Sequence, residues 1–136
     1  MITSAKVPVA TVRVLVVDDS VVVRDRLVAL LSSLAGVEVV GMAGDVAEAV
    51  AAARRLVPEA VTLDIKMPGG DGVAVLEDIK ARSPATVVVV LTNYTGDHHR
   101  ARCLQAGADH FLDKSADLER LVEIFEGLAS AARPLP

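Results

Sequence analysis

Apolar positions along the chain alternate between short β-branched runs and longer stretches with helical spacing. Val12–Val17 is apolar at nearly every position, the pattern of a strand covered on both faces. Ser20 stands where a helix cap belongs. Val23, Leu27, Leu30, Leu31 and Leu34 then follow at i, i+4, i+7, i+8 and i+11, a helical stripe that Gly36 ends. A second strand is predicted over 37–42. Asp45 and Glu48 have capping-box spacing for a helix running to about Leu56, and Pro58 breaks that helix before a third strand over 60–64. Met67-Pro68-Gly69-Gly70 reads as a turn, and Gly72–Arg82 as a helix with Val75, Leu76 and Ile79 inward. Pro84 precedes the most strand-like run, 86–91. A short helix over 98–106 stops at Gly107, His110–Asp113 is a fifth strand, and Leu118, Leu121, Val122, Phe125 and Leu128 mark a last amphipathic helix. Five strand-then-helix units predict an α/β fold: a doubly wound, five-stranded parallel sheet with helices on both faces.

Composition narrows what such a sheet can do. The chain has 136 residues, 52% of them hydrophobic and 24% charged, which suits one domain with a real core and excludes disorder by composition. A net charge of −4 and only three aromatic residues argue against a nucleic-acid partner, which would find neither a basic face nor stacking platforms. The single cysteine, Cys103, cannot form an internal disulfide and reads as a small core residue. No apolar run approaches the roughly 20 residues that span a bilayer, and residues 1–10 lack a signal-like apolar stretch, so the expectation is a cytoplasmic protein without membrane insertion. Residues 1–10 and 132–136 read as a flexible amino-terminal tail and a carboxyl-terminal tail around a domain over 11–131.

In open parallel sheets, ligands bind beyond the carboxyl ends of the strands. There the first strand delivers Asp18 and Asp19, the third Asp64, the fourth Thr92 and the fifth Lys114. If the first and third strands are neighbours, their ends lie about 4.8 Å apart, and three carboxylates that close require a proton or a cation between them. Oxygen-only donors favour a hard ion, Mg2+ before zinc. A carboxylate, a divalent ion, a lysine and a hydroxyl make a good receiver for a phosphoryl group. His98 and His99 are adjacent and diverge by about 100° on a helix, so they read as surface residues; His110 reads as structural. Gly69, Gly70 and Gly72 lack the lysine–serine or lysine–threonine pair of a phosphate loop and serve the turn.

With these residues in view the chain resembles a receiver domain of the two-component response regulators. The resemblance rests on Leu-Val-Val-Asp-Asp at 15–19, Leu-Asp-Ile-Lys-Met-Pro-Gly-Gly-Asp-Gly at 63–72, Leu-Thr at 91–92, Gly-Ala-Asp at 107–109 and Phe-Leu-Asp-Lys at 111–114. It implies the flavodoxin-like strand order 2-1-3-4-5. It also implies Asp64 as phosphoacceptor, Mg2+ held by Asp18, Asp19, Asp64 and the Lys66 backbone carbonyl, Lys114 and Thr92 as partners of the phosphoryl group, and Thr92 and Phe111 as switch residues. Three positions depart from the family pattern. Ser115 replaces the usual proline after the lysine, Asn93 replaces a small residue, and Phe111 lacks the hydroxyl of a tyrosine.

The resemblance further implies a donor, either a histidine kinase or a histidine phosphotransfer protein. On phosphorylation Thr92 moves, Phe111 turns inward, and the face made by the fourth helix, the fifth strand and the last helix is reshaped for a protein target. The length leads to a stand-alone receiver, monomeric or weakly homodimeric, which promotes its own phosphotransfer and slow dephosphorylation. The alternatives are a constitutive receiver-like adaptor and the receiver part of a longer transcription factor. A Mg2+-dependent phosphohydrolase should carry a second acid two residues after the nucleophile, where Lys66 stands. In the geometry that the resemblance implies, Lys66 and Tyr94 flank the path of attacking water and Asn93 tightens the phosphoryl pocket, so all three read as modulators of the phosphoryl lifetime. Neither lysine nor tyrosine is a good base near neutral pH, since both titrate near 10.

Overall fold

The computed structural model describes residues 11–132; the predicted tail 1–10 and residues 133–136 of the predicted tail 132–136 lie outside the described residues, while Ala132 is the last residue of the final helix. The elements alternate from end to end. They are β1 (Val12–Val17), α1 (Val21–Ser32), β2 (Val37–Ala43), α2 (Val46–Leu56), β3 (Ala60–Leu63), α3 (Gly72–Arg82), β4 (Val87–Thr92), α4 (Asp97–Gln105), β5 (His110–Asp113) and α5 (Leu118–Ala132). All five strands are parallel, in the order β2-β1-β3-β4-β5. Register places Val17 beside Leu63, Leu63 beside Val90 and Thr92 beside Asp113. The residues that follow these pairs therefore leave one edge of the sheet together.

Two apolar layers cover the sheet. One packs Leu15, Val17, Val61, Leu63, Val88 and Val90 beneath residues of α2 and α3; the other packs Val14, Val16, Val89 and Leu91 beneath Leu27 and Leu31 of α1 and Leu121, Ile124 and Phe125 of α5. Both faces of the central strands are buried, which is why they read as unbroken apolar runs. In the last helix Ile124 takes the inward position, whereas Leu118, which the periodicity placed on the stripe, is 42% exposed. It sits in the first turn of the helix.

The predicted caps are largely in place. The Ser20 hydroxyl accepts from the Val23 N–H and the Asp45 carboxylate from the Glu48 N–H, while the Glu48 carboxylate returns to the Gly44 N–H, one residue before the cap. Gly107 has φ +108 and ends α4, which occupies Asp97–Gln105, one residue earlier than the spacing predicts. The predicted turn at 67–70 is tighter than a simple turn: Lys66–Met67 pairs antiparallel with Gly70–Asp71 in a small hairpin. Cys103 is fully buried, and burial pushes its thiol pKa up.

Candidate functional site

The carboxyl ends of β1 and β3 bring Asp18, Asp19 and Asp64 together, with one carboxylate oxygen from each lying within 4.8 Å of the others. Asp18 and Asp64 are buried and Asp19 is exposed. Sheet hydrogen bonding continues into the site, since the Asp18 N–H donates to Ala43 O and the Asp64 N–H to Val17 O. The Asp18 carboxylate accepts from the Ser20 N–H at 2.9 Å, and the Asp64 carboxylate from the Lys66 N–H at 3.2 Å. The acids are thus oriented by the backbone that follows them.

The charge they require comes from β5. Lys114 reaches across β4 and places its Nζ 2.6 Å from Asp18 Oδ2 and 2.7 Å from Asp64 Oδ2. Burial alone would lower the pKa of this lysine. The two carboxylate hydrogen bonds outweigh it, and the pKa lies above its ordinary value. The Lys114 N–H is tied to Thr92 O, so the fourth and fifth strand ends are locked together. Thr92 is fully buried, and its hydroxyl accepts from the Tyr94 N–H at 3.1 Å.

The sequence-predicted residues therefore fall into two groups. Asp18, Asp64 and Lys114 touch; Asp19 completes the acidic cluster and Thr92 stands at the neighbouring strand end. Around them, Lys66 and Tyr94 meet each other, with Nζ 5.1 Å from the ring centroid, while Asn93 is exposed. Phe111 is 9% exposed, packed among core residues with the Arg100 guanidinium 5.7 Å from its ring. Its ring is thus already inward in this state of the protein. His98 and His99 contact edge-on, and His99 meets Tyr94 in the same way. The Lys114–Ser115 peptide bond is trans. In place of a proline, Asp113 organises this loop: its carboxylate accepts from both the Ser115 N–H and hydroxyl, which holds its pKa below the ordinary range.

Three contributors were not legible in the sequence. Gly72 lies so close to the loop after β3 that a Cβ would clash with Asp64 O and sit 2.6 Å from Ile65 Cα. Arg24 donates to the Asp18 carbonyl. Arg102 of α4 pairs with Asp71, the N-cap of α3, at 2.8 Å. Each carries an ordinary turn or surface signal: Arg24 and Gly72 fold back on loops only six to eight residues away, and Arg102 meets Asp71 from 31 residues along the chain. Two cavities lie elsewhere, one of about 190 Å³ between the ends of α2 and α3 and one of about 280 Å³ between α3 and α4. The acidic cluster has the donor set for an ion rather than an organic ligand.

A doubly wound sheet with three acids and a bridging lysine at the ends of its strands defines a class of phosphoryl-receiving α/β domains. The chain belongs to the response regulator receiver domain family, whose model matches residues 14–126. It is 47% identical over 98 residues to protein-glutamate methylesterase/protein-glutamine glutaminase 5 of Anaeromyxobacter dehalogenans, covering 71% of this chain and 27% of the relative. It is 34% identical to response regulator GacA of Pseudomonas aeruginosa over 122 residues, 90% of this chain and 57% of that one. Its backbone is similar to the response regulator domain of Thermotoga maritima CheB, with a TM-score of 0.76 and 32% identity over 90% of this chain and 96% of that one. The chain thus spans only part of the length of the curated relatives it matches. No helix among the described residues is long and apolar enough to cross a membrane.

Proposed function

We propose that the protein accepts a phosphoryl group on Asp64 from a histidine kinase or histidine phosphotransfer protein, and that the aspartyl phosphate reshapes a protein-binding face. The observation that carries this reading is the Lys114 ammonium bridging Asp18 and Asp64. It leaves a carboxylate oriented for attack and a cation ready to meet the incoming oxygens. An Asp64 oxygen forms the new P–O bond as the P–N bond to the donor imidazole breaks and its nitrogen keeps the electron pair. Asp18, Asp19, Asp64 and the Lys66 carbonyl would hold Mg2+. When bound, the ion neutralises charge on the phosphoryl oxygens. Lys114 and Thr92 take the remaining oxygens. Val21 and Val22, 59% and 60% exposed and separated from the acidic pair only by Ser20, offer the donor an apolar landing at the lip of the site.

The output face is formed by α4, β5 and α5. Thr92 and Phe111 link it to Asp64, and the Arg100–Phe111 contact breaks as α4 repacks. The domain spans 11–131, acts as a monomer or weak homodimer in the cytoplasm, and performs no reaction beyond its own phosphotransfer and slow dephosphorylation. A second reading, a receiver that serves effector domains of a longer protein, is favoured by the partial coverage of the relatives. Incubation with acetyl phosphate and Mg2+ should label the wild type and leave Asp64→Ala unlabelled. Equal labelling of Asp64→Ala would overturn the assignment.

A further inference from the structure

Arg24 belongs to the first turns of α1 but not to the stripe that packs on the sheet. Its Nη1 donates to the backbone carbonyl of Asp18 at 2.8 Å. That carbonyl is part of the peptide joining Asp18 to Asp19, so the bond sets the plane from which the Asp19 side chain departs. The side chain is half-buried, and it runs to Gly44 in the loop after β2. A Cβ at Gly44 would lie 2.5 Å from Arg24 Nη1 and 3.6 Å from the Glu48 carboxylate. Gly44 has no positive φ that would itself require glycine. A methyl group at Gly44 would therefore make the end of the Arg24 side chain shift from its present place.

We propose that Arg24 is a positioning residue for the divalent-cation site, holding the Asp18–Asp19 peptide so that the exposed Asp19 carboxylate converges with Asp18 and Asp64. The inference rests on the reading of this acidic cluster as a Mg2+ site. Its sign is distinctive. A cation beside three carboxylates opposes a second cation, so an arginine that acted by charge alone would weaken Mg2+ binding, and its removal would strengthen it. A positioning arginine has the opposite effect: loss of an outer contact that orients a metal ligand typically weakens affinity by about tenfold or more.

The test is Mg2+ binding by titration calorimetry on the full chain, for wild type, Arg24→Met, Arg24→Lys and Gly44→Ala, each also unfolded thermally without Mg2+. Arg24→Met should bind Mg2+ about tenfold more weakly, with Arg24→Lys intermediate. Gly44→Ala, which keeps the charge but displaces the guanidinium, should be weakened in the same direction. Affinity in Arg24→Met equal to or tighter than wild type overturns the proposal, whatever its stability. If Arg24→Met does not fold, Gly44→Ala decides, and unchanged affinity there overturns it too. Absence of binding by the wild type would instead remove the Mg2+ site itself, and the proposal with it.

Discussion

The Lys66 ammonium lies 5.1 Å from the centroid of the Tyr94 ring, joining the loop after β3 to the loop after β4. His99 meets the other partner of this pair edge-on, with ring centroids 5.8 Å apart. An in-line water must come within roughly 3–3.5 Å of phosphorus to hydrolyse an aspartyl phosphate, and two mutually held long side chains narrow its approach. Cation–π contacts at exposed positions contribute about 0.5–1 kcal/mol, so Lys66→Ala with Tyr94→Ala should speed loss of the phosphoryl group roughly two- to fivefold. Because the two residues act as one cover, each single variant should recover most of that effect. Decay of the purified phosphoprotein without its donor is the measurement, and an unchanged rate in the double variant rejects the cover.

Lys114 is the counter-charge of Asp18 and Asp64 in the absence of a divalent ion, and all three side chains are largely buried. Removing one partner of a buried pair costs about 3–5 kcal/mol. Lys114→Met should lose about that much stability in Mg2+-free urea denaturation. Added Mg2+ should narrow the gap, since an ion that binds only the folded state adds about 2.7 kcal/mol at a hundredfold excess over its Kd. A variant as stable as wild type without Mg2+ contradicts the pairing.

Gly72 opens α3 directly against the carbonyl of Asp64, with no room for a methyl group. Gly72→Ala must push the loop after β3 aside, and overpacking of this kind costs about 1–3 kcal/mol. Denaturation midpoints measure the cost, and labelling by acetyl phosphate should fall with it. A variant with unchanged stability and labelling would mean that the loop yields freely.

Asp78 of α3 pairs with Arg54 of α2 at 2.6 Å and with Arg82 at 3.4 Å. The Arg54 hydrogen bond holds its carboxyl below the ordinary range, against the opposing effect of burial. A pKa depressed on folding stabilises the protein above the unfolded value, about 3.9, and that contribution fades as pH falls through the folded value. Asp78→Asn should therefore cost up to about 1 kcal/mol near pH 6, discounted for exposure, and progressively less below about pH 4. Thermal unfolding of both proteins across that range reads the difference; a gap that stayed constant into acid would assign it to packing.

The order of elements, the two-sided burial of the sheet and the identity of the residues at its strand ends were all readable from the chain. Apolar periodicity reports local burial, and the caps at Ser20 and Asp45 are local hydrogen bonds, so neither needs knowledge of distant contacts. Pro58 and Pro84 each fall in the short connection between a helix and the next strand, where the chain marks a break. Leu118 follows the apolar spacing yet is exposed at the first position of α5, which periodicity alone does not distinguish from the buried positions.

Asp18, Asp19, Asp64, Thr92 and Lys114 could be nominated from strand ends alone, yet the bridge from Lys114 to two carboxylates could not. That bridge depends on strand order and on the pairing of Val17 with Leu63 and Thr92 with Asp113, which join residues far apart in the chain. Arg24, Gly72 and the Lys66–Tyr94 pair were likewise decided by tertiary structure. A surface arginine, a turn glycine and two exposed long side chains have no distinctive periodicity. Their roles arise from separations of a few ångströms between loops, and only the packing of helices against the sheet sets those separations.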